Sequence, residues 1–488
     1  MQPLFTGYSM PKYETGALFV GMRVVGGVAP EGPAATMATA AAPLTSGMAA
    51  IASYERTGLI KRVVPVSRTK APTHPNISAL ELAMAGRHGA TAAMMASAAL
   101  AKHPRHAISL VELHRDADVA QLQRALANDP NVASVSRVPV RYLVASAPGA
   151  TAEPPATRGP ASMWNLSTIC WSAARALQGF TDADTINVAV LDTGVDSDHP
   201  DLSGQVAKYV WEDAAAQSES KRQDFIGHGT HVTGTIAAVI NNNIGVNGIC
   251  NARIHSWKIF DDIPELNERQ TAYVYLADPM MYLRALHDCV DADVRVINLS
   301  IGGQEPSPAE EQAFQDIMAS GKIVVAAMGN EGEIGSPRSY PAAIPGVIAV
   351  GATDEHDNVC SFSSRGPHIW LCAPGQDIWS TLPTYPGQTQ WEAVVGPDGQ
   401  LRPENPLARD TYYDKGLGTS SATPHVTAAV ALYLSNGGQG GADAVREALK
   451  QSVDKVPGMN GADFSPDYGY GRLNLERLLQ SVLRGAIA

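Results

Sequence analysis

Cysteine is scarce in this chain of 488 residues: there are five, Cys170, Cys250, Cys289, Cys360 and Cys372, an odd number without a CxxC pair. Such a set builds neither a disulfide framework nor a zinc site, so buried free thiols are expected. Long apolar runs are missing too; no stretch reaches the roughly 18 residues of a membrane-spanning helix. The first residues lack a basic segment followed by an unbroken apolar core, because the run over 16–28 is interrupted by Arg23 and preceded by Glu14. That is not the pattern of a secretion signal, so cytoplasmic residence is the expectation and secretion the alternative. An excess of cations is also absent: 36 Lys and Arg stand against 48 Asp and Glu, a formal net charge of −12. The deficit is uneven. Residues 1–163 carry 15 basic and 9 acidic side chains, a balance of +6, and residues 164–488 carry 21 and 39, a balance of −18. An acidic main body is unsuited to a phosphate backbone, which argues against nucleic acid as a partner, whereas the two parts of the chain should attract each other.

What is present is the composition of an ordinary soluble protein, 45% hydrophobic, with 44 glycines and 33 prolines spread through many turns. A single core seldom grows past about 250–300 residues, so more than one unit is implied. Residues 1–58, rich in Ala, Gly, Pro, Met and Thr, show little periodicity and read as a flexible leader of no assignable role. Residues 59–146 read as a small α+β module, with strands expected near 63–66, 106–113 and 132–138 and helices near 77–101 and 116–128. The Pro/Ala-rich stretch 147–163 reads as a linker open to proteolysis. From 164 to 488, β-branched runs at 187–191, 253–259, 294–299, 323–327 and 347–350 alternate with amphipathic segments. That alternation predicts an α/β fold of three layers, a mostly parallel sheet between helices, with functional residues at the carboxyl ends of strands.

Three segments carry the chemistry. A buried strand over 188–191 runs into Asp192 and a glycine turn, LDTG; on its own this is equally a surface turn aspartate. His228 stands between Gly227 and Gly229 at the start of an apolar helical pattern, GHGTHVTGT, where the glycines permit close approach by other backbone. Ser420, in GTSSATPHV, opens a helix that runs to 436–438. A serine there is commonly a cap, yet the positive helix end would also favour a developing oxyanion. A serine hydroxyl is a weak nucleophile at neutral pH and needs an imidazole base held by a buried carboxylate; Asp192, His228 and Ser420 supply those three groups.

Read in order, LDTGVDSDHPDL, HGTHVTGTIAA, VINLSIGG, AAMGNEG, FSSRGP, APG and GTSSATPHVTAA resemble the motif series of the subtilisin-like serine proteases, from about 164 to 474. The order Asp, His, Ser is the one known for subtilisin itself. The resemblance implies a serine endopeptidase acting through an acyl-enzyme, without a cofactor for its chemistry. It implies that Asn330, in GNEG, is an oxyanion donor together with the Ser420 N–H. Ser300, Ile301, Gly302, Gly303 and Gly329 would line the cleft, where an extended peptide or protein substrate pairs as an added strand. Glu331 and Ser339 fall near the pocket for the residue before the cut, whose preference they do not reveal. Asp201, Ile240, Asn242, Ile244 and Val246 match a family loop that wraps one structural Ca²⁺ through oxygen ligands.

The module over 59–146 resembles the propeptide of these proteases, most clearly in LANDPNVASV, which implies a zymogen that processes itself and an intramolecular inhibitor whose tail lies in the cleft. Ser421 stands where many relatives carry methionine, which predicts tolerance to peroxide. A long segment between 383 and 416 and an extended one over 260–278 depart from the shorter family members; the former reads as a cleft wall or lid, or as a disordered insertion. Two rival functions remain: a specialised peptide-maturation or regulatory protease with a retained N-terminal region, and a catalytically silent binding protein.

Overall fold

The computed structural model describes residues 13–22, 51, 54, 59–66, 107–114, 117–143, 163–211, 222–267 and 272–483. The chain divides into two compact units, Glu14–Val138 with Ser307–Ala309, and Pro139–Pro306 with Glu310–Ala488.

In the smaller unit, strands β1 (Tyr13–Met22), β2 (Ile60–Pro65), β3 (Ala107–Leu113) and β4 (Val132–Pro139) form a sheet ordered β2-β3-β1-β4. Helix α1 (Val119–Ala127) is capped by Asp118, whose carboxylate accepts the Gln121 N–H at 2.9 Å, and turns Leu122 and Leu126 into the core. Leu18, Val20, Val111, Leu113 and Val132 pack there with them. Residues 13–22, read from sequence as part of a leader, are therefore an inner strand: Leu18 and Val20 are fully buried and Phe19 pairs with Leu110. Their alternation is short and sits in a Gly-rich context, which hides it. The helix expected over 77–101 and the linker 147–163 lie outside the described residues, apart from Met163.

The larger unit is built on β6 (Asn187–Asp192), β7 (Val206–Val210), β8 (Arg253–Lys258), β11 (Val296–Leu299), β13 (Ile323–Ala327), β14 (Ile348–Thr353) and β15 (Leu371–Pro374), in the order β15-β14-β13-β11-β6-β8-β7. Every pair in it is parallel. β11, β13, β14 and β15 are buried at each residue, as both faces of a helix-covered parallel sheet require. The chain leaves β6 for β8 and β7 on one side and later places β11 on the other. β6 thus marks the switch point where such sheets open a crevice at their carboxyl ends. Helices α2 (His228–Ala237), α3 (Pro279–Asp291) and α4 (Thr419–Ser435) flank the sheet. α4 is buried from Thr419 to Leu434, its apolar second half enclosed by the core and its polar first half hydrogen-bonded inside the protein. The two departures from the shorter family members, at 260–278 and 383–416, join into one sheet: β9 (Glu265–Leu266), β10 (Ala272–Val274), β17 (Gln388–Val395) and β18 (Leu401–Ala408), ordered β18-β17-β10-β9. The segment over 383–416 is thus an ordered hairpin followed by β19 (Tyr412–Gly416), which pairs with β16 (Ile378–Leu382). Among the described residues no helix is long and apolar enough to cross a membrane. All five cysteines are free, four of them buried and Cys170 half-buried.

Candidate active site

Asp192 ends β6 at the switch point, fully buried, and His228 is the first residue of α2. Gly227 has φ +88°, a left-handed turn that costs glycine little. A Cβ on Gly229 would lie 3.1 Å from Asp192 Cβ and closer still to the Gly194 carbonyl, so only glycine lets the helix start reach the strand end. His228 Nδ1 lies 2.7 Å from Asp192 Oδ1, which also accepts the Thr193 N–H at 2.8 Å. Because an ionised carboxylate only accepts, the proton of the neutral ring sits on Nδ1 and Nε2 is left as a base.

A residue that the sequence reading did not single out holds this pair together. Asp224 is fully buried and uses both oxygens. Oδ1 accepts from Thr193 Oγ1 at 2.7 Å and Gly227 N at 2.9 Å; Oδ2 accepts from Thr230 N at 2.9 Å and Thr230 Oγ1 at 2.7 Å. Thr193 Oγ1 in turn accepts the Gly229 N–H at 2.8 Å. The strand end and the helix start are therefore tied through one carboxylate. The cap position itself is Gly227, and an aspartate three residues before it carries no local capping signal, so only the fold brings Asp224 to the helix start. Arg409, from the turn after β18, covers the same loop: its guanidinium donates to Phe225 O at 2.9 Å and to Asp224 O at 3.2 Å.

Ser420 lies in the first turn of α4, after Gly418 at φ +148°. Pro424 has no N–H, so the Ser420 carbonyl loses its partner one turn on; Ser300 Oγ donates to it instead at 3.0 Å. Asn330 follows β13, and its Oδ1 accepts from Thr419 N at 3.0 Å and Thr419 Oγ1 at 3.1 Å. These two donors fix the amide orientation and leave Nδ2 buried without a hydrogen bond. Ser420 Oγ and Asp192 Oδ2 are buried and unbonded as well, so the histidine–serine link is open in this structure, as is common before substrate tightens a site. Unbonded buried atoms occur elsewhere among the described residues too, but here they are an amide donor on Asn330 and a hydroxyl on Ser420, groups that a bound ligand could engage.

The expected cleft residues lie together. β12 (Ile301–Gly302) pairs antiparallel with β5 (Tyr142–Leu143), Ile301 abreast of Leu143 and Gly302 abreast of Tyr142. On its other side this segment meets residues 276–277: Tyr142 bridges Leu276, and Ala277 N donates to Arg141 O at 2.8 Å. A short extended strand thus lies between two walls, with Tyr142 Oη donating to Glu331 Oε1 at 3.3 Å. Gly329, at φ +107°, has Glu331 Oε2 and Ser364 Oγ so near that a Cβ would strike both. Ser339 Oγ is buried and unbonded. The added sheet props the outer wall, since Gln388 and Trp391 donate to Tyr275 Oη at 3.0 and 3.1 Å.

The loop expected to hold calcium is also assembled. Asp201 is fully buried, and its oxygens accept from Asn242 Nδ2 at 2.6 Å and Val246 N at 2.9 Å, while Asn242 Oδ1 accepts the Ile244 N–H at 3.0 Å. Burial raises the Asp201 carboxyl above its usual range. His231 and His425 are structural. His425 Nε2 lies 2.9 Å from Asn165 Nδ2 and Nδ1 lies 2.9 Å from Ser421 O, an acceptor-and-donor pattern that only the neutral ring satisfies.

A carboxylate-held imidazole and a helix-start serine beside an unbonded amide, all at the carboxyl edge of a parallel sheet, define the site of a serine protease. Residues 183–471 match the subtilase family (Peptidase_S8). Subtilisin from Bacillus pumilus is 34% identical over 307 residues, covering 62% of this chain and 94% of that protein; thermitase from Thermoactinomyces vulgaris is 32% identical over 294 residues, covering 60% and 88%. The crystal structure of fervidolysin from Fervidobacterium pennivorans, a keratinolytic enzyme related to subtilisin, matches with a TM-score of 0.62 at 24% identity, over 98% of this chain and 64% of that one, a likeness of fold. The chain belongs to the subtilase family and is a serine endopeptidase.

Proposed function

We propose that Ser420 is the nucleophile, His228 the general base and acid, Asp192 its orienting carboxylate and Asn330 an oxyanion donor, acting on extended polypeptide segments. His228 Nε2 takes the Ser420 proton as Oγ bonds to the substrate carbonyl carbon. The resulting oxyanion is held by Asn330 Nδ2 and the Ser420 N–H. Collapse breaks the C–N bond, and the leaving amine takes the proton from His228. Water then repeats the sequence on the acyl-enzyme and restores Ser420. The single observation that carries this reading is the unbonded Asn330 Nδ2, oriented by Thr419 beside an unbonded Ser420 Oγ.

The chain is made as a zymogen in this reading, its smaller unit acting as a propeptide and residues 139–143 as an inhibitory strand in the cleft; the antiparallel pairing of β5 with β12 supports it. Ser420→Ala should accumulate uncleaved chain, while the wild type loses roughly its first 145–163 residues. Identical processing of both would refute self-maturation. A specialised protease with a retained N-terminal unit is the second reading, favoured by the added sheet beside the cleft; failure to digest casein while cleaving a fitted peptide would select it. Structural calcium at Asp201, with the Asn242 side chain and the carbonyls of Ile240, Ile244 and Val246, is supported by a buried carboxylate set against the glycine turn over 241–246. Asn242 would have to turn its amide to offer oxygen. An unchanged melting temperature after chelation would remove the ion from this account.

A further inference from the structure

The strand between the two walls carries a buried charge that strand pairing does not need. Arg141 and Glu310 are each 1% exposed. Arg141 Nε donates to Glu310 Oε1 at 2.9 Å, and its Nη2 donates to Glu310 Oε2 and, at 2.9 Å, to the carbonyl of Glu305. Nη1 returns to the carbonyl of Val140 at 3.0 Å. Tyr282, itself buried, donates its hydroxyl to Glu310 Oε1 at 2.7 Å. A planar guanidinium meets a carboxylate in two parallel bonds here, a geometry that lysine cannot reproduce.

The register fixes which substrate position this is. Leu143 stands abreast of Ile301 and Tyr142 abreast of Gly302, so the Arg141 position faces Gly303. Consistent with this, a Cβ on Gly303 would strike the Val140 carbonyl and the Arg141 guanidinium. Ser300 touches the nucleophile turn through its bond to the Ser420 carbonyl. A substrate residue facing Ser300 therefore presents its carbonyl to Ser420, and the residue facing Gly303 is the fourth before the cut. When residues 139–143 leave, Glu310, the Tyr282 hydroxyl and the Glu305 carbonyl stay behind as a buried acidic pocket. A buried carboxylate stripped of its partner is strongly unfavourable.

We propose that Glu310, with Tyr282 and the Glu305 carbonyl, is a specificity pocket for arginine at the fourth residue before the cleaved bond, so that the preferred substrates are basic at that position. The proposal rests on the reading that residues 139–143 mark the substrate path.

The test uses the protein as expressed and two chromogenic amides. One has the sequence 139–144, Pro-Val-Arg-Tyr-Leu-Val, and the other has citrulline for arginine, which keeps the shape and removes the charge. The expected kcat/KM ratio is about 50-fold or more in favour of arginine, falling to within about threefold in Glu310→Leu with the citrulline peptide cleaved no worse. Non-cleavable forms of both peptides are then tried as competitors against a generic substrate of the wild type, which needs no variant to fold. Arginine and citrulline peptides that are cleaved and compete equally overturn the pocket but leave the path intact. Peptides that neither compete nor are cleaved, with protein that has lost residues 139–143 and hydrolyses the generic substrate, overturn the path, and the pocket with it.

Discussion

Replacing Asp224 by asparagine keeps volume and removes half of what the carboxylate does. Four donors converge on it, two on each oxygen. The amide keeps one oxygen for two of them and turns an NH₂ toward the other two, so two hydrogen bonds are lost and two buried donors face a third. At about 1–3 kcal/mol for each of the two buried groups left unmet, the variant should lose roughly 2–6 kcal/mol of stability. Alanine would abandon all four and approach the whole stability of an ordinary domain, about 5–15 kcal/mol, which makes asparagine the informative change. The bonds lost are the ones that tie the Asp192–Thr193 strand end to the start of α2, so the His228 ring shifts relative to Asp192. A misplacement of about 1 Å costs on the order of 10²-fold in rate. Steady-state kinetics on a peptide should then show kcat lower by roughly 10–100-fold with KM within about threefold, since Asp224 touches neither cleft wall. A fall in melting temperature with kcat unchanged would reduce Asp224 to a structural cap and refute its role in positioning.

Asn330→Ala should cut kcat by about 10²–10³-fold and leave KM nearly unchanged, the range measured for the corresponding donor of subtilisin; single-turnover kinetics decides it, and a tenfold loss or less would mean that Nδ2 is not aimed at the oxyanion. His231 and His425 are both pushed down to about 4 by burial, from an ordinary value of 6.5. Between pH 6.5 and 4 the unfolded chain binds more protons than the folded one, so stability is full above that window and lost as pH falls through it, by up to about 3 kcal/mol for each ring. His425→Gln should flatten the loss seen in denaturant midpoints between pH 7 and 5, and an unflattened curve would assign it to other groups. Arg409→Met should lower kcat by about tenfold through the loop at Asp224 and Phe225, with the β17–β18 hairpin still present by circular dichroism; unaltered kinetics would show that the hairpin does not brace the site.

How much of this could be read from the chain alone follows from the range of the interactions. The meeting of Asp192 with His228 and the turn that carries Ser420 are legible because each depends on a backbone form confined to a few residues: the left-handed Gly227, the close approach at Gly229, the turn at Gly418. The parallel sheet is legible because strands buried on both faces must be apolar at every position. β1 was hidden, as its apolar alternation over 13–22 gains meaning only against Leu110 and Val111, some ninety residues on. The added sheet was hidden for the same reason: β10 finds its partner when Ala272 meets Glu392, and neither segment alone is strongly periodic. Arg141 and Glu310 lie 169 residues apart and read in sequence as two solvated charges.

The added hairpin meets the catalytic machinery at two points with different consequences. Through Trp391 and Gln388 it holds Tyr275, the residue before the wall that Tyr142 bridges. Through Arg409 and Tyr385, whose hydroxyl accepts the Asp224 N–H at 2.8 Å, it holds the lead-in to His228. The first contact bears on how firmly an extended strand is gripped, the second on how well the imidazole is aimed. One hairpin thus touches both the outer wall of the strand and the lead-in to His228, so a change in the hairpin can act on either.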